Sequence, residues 1–152
     1  MQTTVTVDQC AILVGGLGTR LGTLTATTPK PLLSCGDRPF LAWLMREFLR
    51  FGVHEFVLLT GHLSAEIERV AAEIQAALPR DVRVTLSEEP VRAGTGGAVW
   101  HARDQLQERF LLCNGDSLFD CGIANLLSAA ADDADDVVGR LMLRQLDDAS
   151  RY

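Results

Sequence analysis

The sequence predicts an α/β fold, a parallel sheet with helices packed on its faces, and three observations lead there. Short β-rich runs alternate with longer segments of helical period. Three of those runs, at 11–14, 56–59 and 110–113, are continuously apolar, as strands covered on both faces are. The segments between them are long enough to be the crossovers that parallel neighbours need. Composition agrees: the 152 residues are 47% hydrophobic and 22% charged, the balance of an ordinary globular domain rather than a disordered chain.

Taken in order, the first strand is expected over 10–14. The segment 40–51 puts Leu41, Leu44, Phe48 and Phe51 on one helical stripe and stops at Gly52, a favoured residue just past a helix end. A strand over 55–60 follows. Ser64 is the expected N-cap of the next helix, with Glu66 in its first turn. Ile67, Val70, Ala71, Ile74 and Leu78 form that helix's buried stripe, and Pro79 ends it. The run 82–86 alternates, which suits a strand with one wetter face or near a sheet edge. A helix over 97–107, a strand over 110–113, a helix over 123–131 and a strand over 137–143 complete the series. Trp43 and Trp100 fall in helical segments and read as core or helix–sheet packing. The acidic run Asp132, Asp133, Asp135 and Asp136 reads as a solvated loop.

The charge balance, 14 Lys+Arg against 20 Asp+Glu, argues against non-specific binding to nucleic acid. Apolar stretches fall far short of the ~20 residues that span a bilayer. The polar first nine residues carry Asp8 where a secretory leader would be basic and then apolar. Residues 1–9 are therefore expected to be a tail and 10–152 the folded part, in a cytoplasmic protein without membrane or nucleic-acid partners. Cys10, Cys35, Cys113 and Cys121 show no C-x-x-C spacing, so neither a zinc site nor disulfides are expected, and Cys10 and Cys113 read as small buried hydrophobes. His54, His62 and His101 show no metal-triad spacing, and His62, which follows Gly61 at a strand end, reads as a surface or capping residue with a contact at the site's rim as the alternative.

Ligands of an open parallel sheet bind beyond the strand C-termini, and glycines gather there, at 15, 16, 18 and 22 and again at 94, 96 and 97. In the stretch Gly15-Gly16-Leu17-Gly18-Thr19-Arg20-Leu21-Gly22, backbone N–H groups freed of side chains can wrap phosphate oxygens. Arg20 adds a planar fork of donors. Lys30, between Pro29 and Pro31, is held by a restricted backbone that aims its ammonium. No Lys follows the glycines as a P-loop requires, and the dinucleotide fingerprint fails at Leu21 and at Thr60-Gly61. A second stretch, 88–98, pairs glycines with Glu89, whose carboxylate suits the adjacent N1–H and N2–H₂ donors of guanine. A third, Asn114-Gly115-Asp116-Ser117, offers Asp116 as a ligand for Mg²⁺ bridging triphosphate oxygens. Each stretch also has a plain structural reading: a glycine turn with surface cations, a helix entry with surface glutamates, and a ligand-free Asn-Gly turn.

In this order and spacing the motifs G-G-x-G-T-R-L, P-K-P, G-T-G-G-A and N-G-D resemble the N-terminal part of the sugar-1-phosphate nucleotidyltransferases. The resemblance runs over 10–152. It implies a Rossmann-like, GT-A-like nucleotidyltransferase fold, here C-terminally truncated and without the sugar-binding part. It implies that Val14, Gly15, Gly16, Leu17, Gly18 and Thr19 line the nucleotide, and that Arg20 holds the β- and γ-phosphates. Lys30 would stabilise charge on the α-phosphate, Glu89 would read the base, Gly94 and Thr95 would lie beside the nucleoside, and Asp116 would bind Mg²⁺. The reaction implied joins an NTP, with GTP slightly favoured by Glu89, to a sugar 1-phosphate and releases pyrophosphate. A non-catalytic nucleotide- or sugar-phosphate-binding module of the same fold is the alternative, and a homo-oligomer stays open. Two departures stand out: Val14 where a small Ala is common, and Gly22-Thr23 where Arg-Pro is frequent.

Overall fold

The computed structural model describes residues 7–16, 19–119, 122–134, 136–143, 145, 147, 148 and 150, with residues 19 and 20 described in their backbone only. They fall into two units, one spanning Val7–Leu118 and one that includes the chain from Phe119 onward.

In the first unit, four parallel strands form the sheet: β1 (Gln9–Leu13), β4 (Glu55–Thr60), β5 (Arg83–Glu88) and β6 (Leu111–Asn114), in the order β5-β4-β1-β6. A short antiparallel hairpin, β2 (Ser34–Cys35) with β3 (Arg38–Pro39), leads into α1 (Phe40–Leu49). α2 (Ser64–Ala76) joins β4 to β5, and α3 (Gly94–His101) with the 3₁₀ turn Arg103–Gln105 joins β5 to β6. The chain starts in the middle of the sheet, moves outward through β4 and β5, then returns to the other side of β1. The strand order therefore reverses at β1, and the loops leaving β1 and β6 diverge above their C-terminal ends, where ligands of such sheets bind. The α/β parallel sheet expected from the sequence is the one observed.

Burial follows position in the sheet. In β1, Cys10, Ala11 and Ile12 are fully buried, and in β4 every residue from Phe56 to Thr60 is buried. Ala11, Val57 and Leu59 meet Ala98 and Ala102 of the α3 segment, with Leu13, Val99, Leu106 and Phe110 at the margin of that cluster. Each fully buried Leu, Ile or Phe of this kind contributes roughly 1.5–3 kcal/mol. β5 is an edge strand, as its alternation suggested. β6 is an edge strand too, and its pattern alternates, with Leu112 45% exposed. The continuous apolar run at 110–113 thus has one face wetter than the other, with Leu112 and Asn114 exposed and Leu111 and Cys113 half-buried, and no strand pairs with its outer edge among the described residues.

Several expectations are corrected. Ser64 is not the cap of α2. Leu63 occupies that position in a left-handed conformation (φ 59°, ψ 36°), and the Ser64 hydroxyl instead donates to Glu88 Oε1 at 2.6 Å. Only three residues separate β4 from α2, and the left-handed residue supplies the reversal that so short a link needs. Trp43 and Trp100 are 43% and 70% exposed rather than core. The buried stripe of α1 is Leu41, Ala42, Leu44, Met45 and Phe48, and in the α3 segment it is Ala98 and Ala102; both indoles lie off these stripes. Arg38 covers Trp43 at 4.5 Å and Arg103 covers Trp100 at 4.9 Å, which shields each ring and uses the ring's negative face. α3 begins three residues earlier than expected, at Gly94.

In the second unit α4 (Ile123–Ala131) forms as expected, but 137–143 is not a strand. A strand exists through its ladder, and no described residue pairs with this segment, so Val138, Leu141 and Leu143 are exposed. Asp133 is not merely solvated, since Arg140 Nε donates to it at 2.6 Å. Asp135 and Cys121 lie outside the described residues. Cys10 is buried and Cys113 half-buried, their sulfurs 3.8 Å apart. The hydrogen bond with Cys113 and burial push the Cys10 thiol well above its ordinary value, so it stays protonated and unreactive. Among the described residues, no helix is long and apolar enough to cross a membrane.

β1 opens one residue earlier than expected, on Gln9, which is 3% exposed. Its side chain is satisfied: Nε2 donates to Gln105 O at 3.0 Å, and Oε1 accepts from Gln107 N at 2.8 Å. The Gln9→Met variant keeps the volume but orphans both backbone groups. It is expected to lose about 1–3 kcal/mol in chemical denaturation, whereas a loss indistinguishable from zero would show that water replaces the amide.

Candidate functional site

The C-terminal ends of β1, β4, β5 and β6 open on one cavity of about 260 Å³. From β1 come Leu13, Val14, Gly15 and Gly16, and from the loop after β5 come Glu89, Arg92, Gly94 and Thr95. Asn114 and Asp116 enter from the end of β6, Leu59 and Ala98 floor the cavity, and Lys30 with Pro31 closes one side.

Two close approaches build this hollow. Val14 N donates to Leu59 O at 3.0 Å, holding the β1 exit against β4. A Cβ at Gly15 would lie 3.1 Å from Gly61 N and 3.2 Å from Thr60 C, both backbone atoms that cannot swing aside. On the other side, Gly115 N donates to Leu13 O at 2.9 Å. A Cβ there would lie 2.8 Å from Val14 Cγ1 and 2.9 Å from Leu13 O. Gly16 is different: nothing lies within 4 Å of where its Cβ would be, so its bare backbone borders open space on the cavity.

The Pro-Lys-Pro segment folds into the 3₁₀ turn Lys30–Leu32, pinned by buried Pro31 and Leu32 and by Leu32 N donating to Pro29 O at 2.8 Å. Anchored this way, Lys30 Nζ reaches Asp116 Oδ2 at 2.7 Å, while Ser117 Oγ donates to Oδ1 at 3.0 Å. The two side chains are 37% and 36% exposed, so water screens the pair. Burial acts to raise the Asp116 pKa, but the hydrogen bonds from Lys30 and Ser117 together with the Lys30 charge outweigh it and hold the carboxyl below its ordinary value.

On the far side, Glu89 N donates to Thr60 O at 3.1 Å, and Glu89 Oε2 accepts from Ala93 N at 3.2 Å. The half-buried carboxylate is thereby fixed at the head of the loop, with Oε1 facing Gly61.

Of the residues singled out by sequence, Val14, Gly15, Gly16, Lys30, Glu89, Gly94, Thr95 and Asp116 share the cavity. Leu17 and Gly18 lie outside the described residues, as do the side chains of Thr19 and Arg20, whose backbone forms the turn Thr19–Thr25. His62 is exposed and not on the cavity. Sequence reasoning assigned no role to Arg92, Asn114 or Gly115. A cation within the second glycine stretch was the available signal for the first, and the Asn-Gly-Asp turn for the others. Among the described residues, no three His, Cys, Asp or Glu side chains gather about one point. The lone carboxylate of Asp116 fits Mg²⁺, which takes one or two carboxylates and completes its shell with phosphate oxygens and water.

Known proteins share this framework. The model of the family described as Nucleotidyl transferase matches residues 10–152. The chain is 32% identical to a probable glucose-1-phosphate cytidylyltransferase of Bacillus subtilis (strain 168), over 79% of this chain and 54% of that protein. It is also 32% identical to the mannose-1-phosphate guanylyltransferase catalytic subunit beta of Danio rerio, over 93% of this chain and 39% of that one. The solved UDP-glucose pyrophosphorylase of Acinetobacter baumannii superposes with a TM-score of 0.70 at 25% identity, covering 82% of this chain and 54% of the other. The chain spans about half the length of the curated relatives it matches.

Two outcomes test this geometry. Gly115→Ala is expected to cost about 1–3 kcal/mol through overpacking against Val14 and Leu13, read from the denaturation midpoint. In metal-free buffer, the Asp116 contribution is present above the ordinary carboxylate value, because the folded value is depressed, and is lost as pH falls through that folded value. Asp116→Asn should therefore show a shallower acid limb of stability than the parent; parallel limbs would refute the pairing.

Proposed function

The chain belongs to the nucleotidyl transferase family, and on that premise we propose that it transfers a nucleotidyl group from an NTP to a sugar 1-phosphate. Residues 10–152 form its nucleotide-binding part, in a cytoplasmic protein. The observation that carries this reading is the meeting of Lys30 with Asp116, 2.7 Å apart, on a cavity whose opposite wall holds Glu89.

In the reaction proposed, an oxygen of the sugar 1-phosphate attacks the α-phosphorus of the NTP. A new P–O bond forms as the bond to the β-phosphate oxygen breaks, and pyrophosphate leaves in line with the electron pair. The bare backbone at Gly16 borders the cavity, and Gly15, Gly16, Leu17, Gly18 and Thr19 are assigned to line the nucleotide, with N–H groups of the glycine stretch serving its phosphates. Lys30 stabilises charge growing on the α-phosphate, and Arg20 holds the β- and γ-phosphates. Val14, Gly94 and Thr95 border the nucleoside. Asp116 would hold Mg²⁺, which supplies neutralisation of the triphosphate charge when bound. Lys30 and Asp116 keep each other oriented until substrate arrives, after which both charges are free to act on it.

The base rests on Glu89. The relatives' names differ in nucleotide, with cytidylyl and guanylyl transfer both represented, so kinship alone leaves the base undecided. A carboxylate fixed at the loop head favours guanine, whose N1–H and N2–H₂ donors sit side by side, and GTP is the preferred donor.

The test is pyrophosphate release from each NTP with Mg²⁺ and glucose 1-phosphate or mannose 1-phosphate. Lys30→Ala and Asp116→Asn are each expected to lower turnover by ~10²–10³-fold, the range for losing one positioned electrostatic group. Nucleotide binding without pyrophosphate release would mark a non-catalytic module of the same fold, and no nucleotide binding would refute the reading.

A further inference from the structure

We propose that Arg92 reads the O6/N7 edge of the guanine base, so that Glu89 and Arg92 together set nucleotide specificity; this rests on the nucleotide-transfer reading above. The cavity has two cationic side chains among the described residues, Lys30 and Arg92. Lys30 is paired with Asp116 at 2.7 Å. Arg92 is exposed, lines the same cavity, and is in no ion pair among the described residues. An unpaired guanidinium on a cavity wall is a donor fork awaiting an acceptor.

Its place in the fold says which part of the ligand it meets. Arg92 and Glu89 both follow β5, at one edge of the sheet, whereas Asp116 follows β6 at the other. Three strand spacings separate those edges, roughly 14 Å at ~4.8 Å each, with the glycine backbone of the β1 exit between them. That span suits an elongated ligand with its phosphates toward Lys30 and Asp116 and its base toward Glu89 and Arg92. A guanine offers N2–H₂, N1–H, O6 and N7 in sequence around its ring, two donors and then two acceptors. A carboxylate and a guanidinium three residues apart in one loop match that sequence, since Arg pairs bidentately with O6 and N7. Adenine would set its N6–H₂ donor against the guanidinium and be rejected.

Equilibrium binding of GTP, 7-deaza-GTP and ITP to the full chain, its Arg92→Ala variant and its Arg92→Lys variant tests this. For the parent, loss of N7 should weaken binding by roughly tenfold, the order expected when a bidentate base contact is broken. In Arg92→Ala the GTP to 7-deaza-GTP ratio should fall to about one, with the GTP to ITP ratio, which reports the N2–H₂ contact of Glu89, unchanged. Arg92→Lys keeps the charge and an ammonium that can still donate to O6 and N7 but loses the planar fork, and should retain a reduced 7-deaza-GTP penalty between those of the parent and Arg92→Ala. A 7-deaza-GTP penalty that survives Arg92→Ala, or its absence in the parent, would overturn the assignment of Arg92 while leaving GTP binding intact. Failure of all three nucleotides to bind the parent would instead overturn the nucleotide-transfer reading itself.

Discussion

The cavity depends on three strand exits lying in near contact, and two glycines are what permit it. Gly15 brings the end of β1 against the backbone at Thr60 and Gly61, and Gly115 brings the end of β6 onto Leu13 and Val14. A side chain at either place would hold the strand ends apart. The ladder that sets the strands a fixed distance apart lies below, in the buried β1 and β4. Above it the loops splay outward, so the hollow is bounded by backbone near its centre and by charged side chains at its two sides.

Those charges come as one cation and one anion on each side. On the β6 side, Lys30 and Asp116 neutralise each other, and the turn pinned by Pro31 and Leu32 keeps the ammonium in reach of the carboxylate. On the β5 side, Glu89 is held by Ala93 N, and Arg92 stands on the wall without a carboxylate partner among the described residues. A pair that is net neutral and partly wetted costs little to separate, because each ion exchanges a screened partner for another. That is a suitable resting state for the roles proposed for the two groups.

Elsewhere the structure shows how polar and aromatic residues are accommodated at the margins. Gln9 sits inside the sheet because three groups around it complete its hydrogen bonds, two of them in the segment before β6. Trp43 and Trp100 stay outside because their helices bury a different stripe, and each is covered by an arginine instead. β6 keeps one half-exposed face as the outer strand of the described sheet.

The sequence by itself determined the α/β class and the order of the four parallel strands and of the α-helices through α4, but not the hairpin at 34–39. It also determined which stretches gather at the strand C-termini, because apolar periodicity and glycine clustering are local signals. Glu55–Thr60 and Ile123–Ala131 were legible to the residue. Along the chain, Lys30 and Asp116 are both visible as candidates, but their 2.7 Å pairing is a property of space alone, since 86 positions separate them. The same holds for Gly115, whose need to lack a side chain comes from Val14 and Leu13 a hundred positions earlier, and for Arg92, whose meaning depends on the wall it stands on. Leu63 as the helix cap and the absence of a strand at 137–143 were likewise tertiary decisions. A cap depends on how tightly the incoming loop must turn, and a strand depends on a partner edge, and neither is written in the residues that carry it.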